Sequence, residues 1–157
     1  MPVIHHSAVC VADVEASLRF WRDGLGFAVV MDGRFDGDWP TLLRSPSPSL
    51  RAVFLGDPAR PEAGIVELVD LGDVPEGERP ADRPAASGFL LLSVMVPDVE
   101  AALAGLAGLG LGGDPRRVDA MGIAMAVVVD PDGVQVELVE DRATANLERL
   151  TASGGEP

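Results

Sequence analysis

Apolar positions along the chain fall into runs of two kinds, and their spacing predicts the elements. Residues 6–11 form a short β-rich run that ends before Asp13. Asp13 suits a helix N-cap, because a short carboxylate accepts from backbone N–H groups that a first turn leaves unpaired. Glu15 then lies in that turn, where the helix dipole favours negative charge. Val14, Leu18 and Trp21 follow at i, i+4 and i+7, one face of a helix that Gly24 or Gly26 stops. Strands are predicted at 28–31, 52–55 and 65–71. A second series starts at Asp98, which caps a helix through Leu109 with Val99, Leu103 and Leu106 on one face. Strands follow near 123–130 and 134–139, separated by Asp130-Pro131-Asp132-Gly133, a strong turn signal.

The two series read as copies of one unit. Asp13-Val14-Glu15-Ala16 recurs as Asp98-Val99-Glu100-Ala101, each after an apolar run (8–11 and 90–96) and each before a helical pattern. Each helix ends in similar punctuation, Gly24-Leu25-Gly26-Phe27 and Gly108-Leu109-Gly110-Leu111. Farther on, Val66-Glu67-Leu68-Val69-Asp70 matches Val136-Glu137-Leu138-Val139-Glu140. The second match spans a shorter distance than the first, so the first copy carries an insertion, most simply in residues 31–50. That stretch holds Gly33, Gly37, Pro40, Pro46 and Pro48 and is expected to be a loop with Phe35 and Trp39 exposed. The resulting plan is a single domain over 1–157: module one 1–71, a Pro-, Asp-, Glu- and Arg-rich linker 72–87, module two 88–141 and a C-terminal tail 142–157. The tail has a weak helical pattern through Leu150 and then frays.

Charge narrows the classes of function. The 157 residues hold 25 acidic against 12 basic side chains, a formal charge of −13, and every basic residue is arginine. That balance argues against a protein tracking nucleic-acid phosphates and against attraction to an anionic membrane. With 47% apolar residues the chain can build a proper core. Cys10, the one cysteine, cannot close an intrachain disulfide, so the fold does not depend on an oxidising compartment. The first residues, Met1-Pro2-Val3-Ile4-His5-His6, lack a basic n-region and an apolar h-region, and no apolar stretch long enough to cross a bilayer runs uninterrupted. A soluble cytoplasmic protein is expected. Tyrosine is absent, so none can serve as acid or ligand.

Strand alternation decides where the polar residues point. In the first strand Ile4, His6, Ala8 and Cys10 share one face, while His5, Ser7, Val9 and Val11 share the face that would pack under the helix. In the last strand of module one Glu67 sits between Ile65 and Val69, and in module two Glu137 sits between Gln135 and Val139. A buried carboxylate must be paired, protonated or bound to a metal. Two glutamates at equivalent positions, with His6 on the first strand, suggest one pocket lined by both copies. Phe89, Leu91, Ser93 and Met95 are expected on one face and make that half of the pocket apolar, with Cys10 a small packing residue on the other half. His5 is expected at the surface or against a helix. Phe35 and Trp39 would cover the pocket mouth or meet a partner subunit. Arg116-Arg117, read as a loop pair, could meet an anionic substrate, although such pairs are more often solvated.

His6 with Asp13-Val14-Glu15-Ala16-Ser17-Leu18-Arg19-Phe20-Trp21 and Leu25-Gly26-Phe27 resembles the opening module of the vicinal oxygen chelate superfamily. That superfamily includes glyoxalase I, methylmalonyl-CoA epimerase, extradiol dioxygenases and bleomycin-resistance proteins. Asp130-Pro131-Asp132-Gly133-Val134-Gln135-Val136-Glu137-Leu138 resembles its closing motif, and the likeness spans roughly residues 3–141. The resemblance implies an α+β fold of two tandem βαβββ modules whose curved mixed sheets enclose a cavity, often completed in a homodimer. It also implies a divalent metal (Zn, Ni, Co, Mn or Fe) held by one residue on the first and one on the last strand of each module. Carried over, those positions are His6, Glu67 and Glu137, with the glutamates also able to move a proton. The fourth position departs: counting back from the capping aspartate gives Leu91, or Phe89 after a two-residue shift, and neither binds metal. Two functions follow from the resemblance. One is a metal-dependent lyase, isomerase or epimerase acting on a small oxygenated metabolite. The other is a metal-free protein that sequesters a hydrophobic or aromatic compound. An extradiol dioxygenase is disfavoured, because its iron would need a second-module histidine.

Overall fold

The computed structural model describes residues 4–60, 63–77, 84–120 and 122–141. The chain divides into two compact units, one up to residue 78 and the other from residue 79. In the first, strand β1 (His6–Cys10) leads into helix α1 (Val14–Leu18), which continues as a π-helical turn over Arg19–Gly24. Then come β2 (Ala28–Asp36), α2 (Trp39–Leu43), β3 (Ser49–Gly56) and β4 (Ile65–Asp70). The sheet order is β1-β4-β3-β2, with β1 parallel to β4 and the other pairs antiparallel. The second unit repeats the plan with β5 (Leu92–Val96), α3 (Val99–Gly108), β6 (Gly112–Ala120), β7 (Ile123–Val129) and β8 (Gln135–Glu140), in order β5-β8-β7-β6. These are the two βαβββ modules expected, each an open four-stranded mixed sheet.

Capping explains where the helices start. The Asp13 Oδ1 accepts from the N–H groups of Glu15 (2.9 Å) and Ala16 (3.1 Å), and Asp98 Oδ1 accepts from Ala101 (2.9 Å). After Leu18 the winding widens, so that the Leu25 N–H reaches the Phe20 carbonyl at 3.0 Å. The wider turn lets both Phe20 and Trp21 bury completely, against each other and against Phe27. Gly26, at φ +82°, then reverses the chain in a conformation that costs a residue with a Cβ about 1–2 kcal/mol. The helix side of sheet one buries Val9, Val53, Leu55, Val66 and Leu68, with α1 packed on β4. Each such side chain contributes about 1.5–3 kcal/mol by leaving water. In module two α3 packs on β6, β7 and β8 and buries Val99, Leu103 and Leu106.

Four expectations need correcting. Residues 31–50 are not a loop: β2 runs on to Asp36 and α2 follows, capped by Asp38, whose carboxylate accepts from the Thr41 N–H. Phe35 and Trp39 are accordingly half-buried, packed against Leu50, Ala52 and Val69. Arg116 and Arg117 lie within β6, a strand the apolar pattern does not reveal. Phe89 precedes β5 and is 63% exposed, so it does not share a strand face with Ser93 and Met95. The expected helical tail lies outside the described residues.

Candidate functional site

The parallel pairing of β1 with β4 builds the polar centre of module one. Ala8 stands opposite Glu67 in the ladder and His6 opposite Ile65. His6 and Glu67 therefore occupy one sheet face, two positions apart, close enough for their side chains to meet. They do: His6 Nε2 lies 3.0 Å from Glu67 Oε2. The carboxylate is only 14% exposed and the imidazole 39%. On the other edge of the ring, His6 Nδ1 lies 2.7 Å from His5 Nδ1. A neutral His6 that donates Nε2–H to Glu67 keeps a lone pair on Nδ1, which accepts from the Nδ1–H of His5. His5, expected as a bland surface residue, is exposed but holds the site imidazole from behind.

Aromatic rings continue this face. Phe54 pairs with Glu67 across β3 and β4, and its ring stands edge-on to His6 with centroids 6.1 Å apart. Phe35 stands edge-on to Phe54 at 6.5 Å. Trp39 packs on the same apolar cluster and donates its indole N–H to the Phe35 carbonyl at 2.8 Å, which leaves the indole no free donor. Phe54 was missed in the sequence, yet period two along β3 (Leu50, Ala52, Phe54) marks it as facing with Glu67.

Module two repeats the ladder with different chemistry. Ser93 pairs with Glu137 as Ala8 pairs with Glu67, and the next residues continue in step, Val94 with Leu138 as Val9 with Leu68. Extended one residue ahead of β5, which begins at Leu92, this register brings Leu91 to the position of His6. Leu91 is half-buried just before β5, and Glu137 is half-buried on β8. Ser93 and Met95 are exposed on β5, and Cys10 is exposed at the end of β1. Arg116 lies on the Glu137 face and donates to Gln135 Oε1, while the Gln135 side-chain amide donates to the Leu90 carbonyl at 3.2 Å. Arg117 points to the helix side, where it meets Glu100 at 3.3 Å.

The donor set in module one suits a borderline divalent cation, which takes imidazole nitrogen and carboxylate oxygen together. Nε2 of His6 and the Glu67 carboxylate face one another at 3.0 Å and would be the two groups of module one to hold such a cation. Among the described residues no group of three or more His, Cys, Asp or Glu side chains forms a ready metal cage. No helix among them is long and apolar enough to cross a membrane.

Comparison with known proteins agrees with this architecture. The chain is 33% identical over 145 residues to the lactoylglutathione lyase-like protein terB of Aspergillus terreus, covering 87% of this chain and 74% of that protein. It is 31% identical over 138 residues to the uncharacterised protein YaeR of Escherichia coli, covering 87% and 95%. Its fold superposes on the trypanothione-dependent glyoxalase I of Leishmania major with a TM-score of 0.71, at 21% identity and over 98% and 97% of the two chains. Residues 3–138 match the Glyoxalase/Bleomycin resistance protein/Dioxygenase superfamily, and with the tandem βαβββ modules this places the chain in that superfamily.

Proposed function

We propose that the protein is a divalent-metal-dependent lyase, isomerase or epimerase acting on a small oxygenated metabolite, with His6 and Glu67 as the metal ligands of module one and Glu137 the equivalent carboxylate of module two. The observation that carries this reading is the 3.0 Å contact between His6 and Glu67, a nitrogen–oxygen donor pair on neighbouring parallel strands. The name of the 33%-identical relative, a lactoylglutathione lyase-like protein, leans the same way. Zn²⁺, Ni²⁺, Co²⁺, Mn²⁺ or Fe²⁺ would supply Lewis acidity toward a substrate carbonyl or enolate. His6 would hold the ion through Nε2, and the Nδ1 contact to His5 holds its ring in orientation. Glu67, largely shielded from water, and Glu137 would be the carboxylates that take a proton from carbon and return it. Arg116 adds a cation on the same sheet face as Glu137, across β7 from it.

Elemental analysis of protein purified without a nickel column tests the reading. Stoichiometric metal is expected in the parent and is lost in Glu67→Ala and Glu137→Ala, with unchanged circular dichroism. A parent that stays metal-free after incubation with these ions overturns it. Leu91, at the position of the second imidazole, favours a second reading, a metal-free protein that sequesters a hydrophobic or aromatic compound. In that case Glu67 serves only to hydrogen-bond His6, and ligand affinity survives chelators.

A further inference from the structure

His5 and His6 meet through like atoms. Their Nδ1 nitrogens lie 2.7 Å apart, with ring centres 5.1 Å apart and ring planes at 85°. That centre distance is the nitrogen gap plus one ring radius on each side, so the two nitrogens point at each other head-on. Two bare nitrogens at this range repel and two N–H groups collide, so the contact holds a single proton. Nothing intrinsic decides which ring owns it, because the two atoms are the same. The far edge of His6 decides. Its Nε2 lies 3.0 Å from the Glu67 carboxylate, which as an anion only accepts, so a proton on Nε2 is favoured over a bare lone pair. These are the only polar contacts of either ring among the described residues, and the neighbouring Phe54 ring has neither donor nor acceptor.

Building on the reading that His6 is a metal ligand through Nε2, we infer that His5 is its ambident positioning residue: it donates to His6 Nδ1 in the metal-free protein and accepts from Nδ1 once Nε2 is given to a cation. The protons balance. Before uptake His6 is protonated on Nε2 and His5 on Nδ1. On uptake His6 gives its Nε2 proton to water and takes the shared proton onto Nδ1. His5, left with a bare Nδ1, draws a proton from water onto Nε2 of its exposed ring. Each ring stays neutral and the pair releases no net proton. A carboxylate or backbone carbonyl in the place of His5 accepts only, which suits the loaded state alone. A second imidazole suits both states, so the His6 ring keeps one orientation with or without the ion.

Histidine-selective ¹⁵N labelling of the untagged full-length protein tests the exchange. The chain has two histidines, and a long-range proton–nitrogen spectrum shows which nitrogen of each ring is protonated. The same labelling of His5→Asn leaves one ring and assigns the signals. Without metal, Nε2–H is expected on His6 and Nδ1–H on His5; with stoichiometric Zn²⁺ both reverse. A His5 that keeps Nδ1–H with Zn²⁺ bound, or a His6 that carries both protons without it, overturns the inference. Calorimetric Zn²⁺ titration gives a second readout. His5→Phe, a ring without nitrogen, is expected to weaken binding about tenfold or more, whereas His5→Asn, whose amide can turn its oxygen or its NH₂ toward His6, loses about threefold or less. Equal losses in the two variants, or none in either, also overturn it. A parent that takes up no Zn²⁺ ends the metal reading and this role with it, whereas uptake with the His5 proton unmoved ends this role alone.

Discussion

Arg51 shows how single side chains tie the first module together. Its guanidinium donates to both Asp32 oxygens, at 3.0 and 2.8 Å, and to Glu15 at 3.3 Å, joining β3 to β2 and to the first turn of α1. The hydrogen bond from Arg51 holds the Asp32 carboxyl below its ordinary value of 3.8, and the same bond raises the guanidinium. A carboxyl whose folded value is depressed stabilises the fold above its unfolded value and loses that contribution as pH falls through the folded one. The melting-temperature advantage of the parent over Asp32→Asn is therefore expected at neutral pH and should shrink progressively below 3.8, read by thermal melts across pH. An advantage that is constant down to strongly acidic pH contradicts the pairing. Arg117 and Glu100 make the corresponding strand-to-helix bridge in module two, exposed enough to be worth little. The glutamates of both bridges were legible in the repeated Asp-Val-Glu-Ala motif. Their arginine partners were not, because strand register, not sequence spacing, brings them close.

At the level of elements, the turn between β7 and β8 rests on one buried aspartate. Asp130, 2% exposed, accepts through Oδ1 from the N–H groups of Asp132 (2.9 Å) and Val134 (2.8 Å), and Gly133 at φ +84° completes the reversal. Asp130→Ala is expected to cost about 2 kcal/mol in urea denaturation, whereas Asp130→Asn, which keeps the acceptor, should cost less than about 1 kcal/mol. Equal losses would mean that Oδ1 is not what holds the turn. This turn was readable because Asp-Pro-Asp-Gly has a mechanism behind it. Strand β6 was not: Gly-Gly-Asp-Pro-Arg-Arg-Val-Asp-Ala lies at a sheet edge, mostly exposed, and no buried face imposes alternation on it. Helix α2 is five residues long, too short for a periodic signal. Its only sequence mark was Asp38 ahead of Trp39-Pro40, a cap followed by an early proline.

For the whole molecule, duplication was the most legible property, since two motif pairs in the same order fixed both modules and placed Glu67 and Glu137 at matching sites. Phe35 and Trp39 stayed hidden as packing residues because a stretch rich in Gly and Pro reads as loop until β3 pairs with it. The homodimer expected from the family likeness remains a proposal with a structural handle. Edge strand β2 exposes Val29, Val30 and Met31 by 41–57%, the kind of apolar edge that a second chain covers. Sedimentation should give twice the 16.4 kDa chain mass, and Val30→Glu should return it to that mass; a parent that sediments as a single chain at micromolar concentration ends the proposal. The matched ladders carry one more consequence. Because Ser93 and Glu137 already stand as Ala8 and Glu67 do, replacing Leu91 with histidine would mirror the first module's donor pair inside the second. The missing imidazole is thus a matter of one side chain on an intact scaffold, and a directed-evolution experiment starting from this protein has a single codon to change.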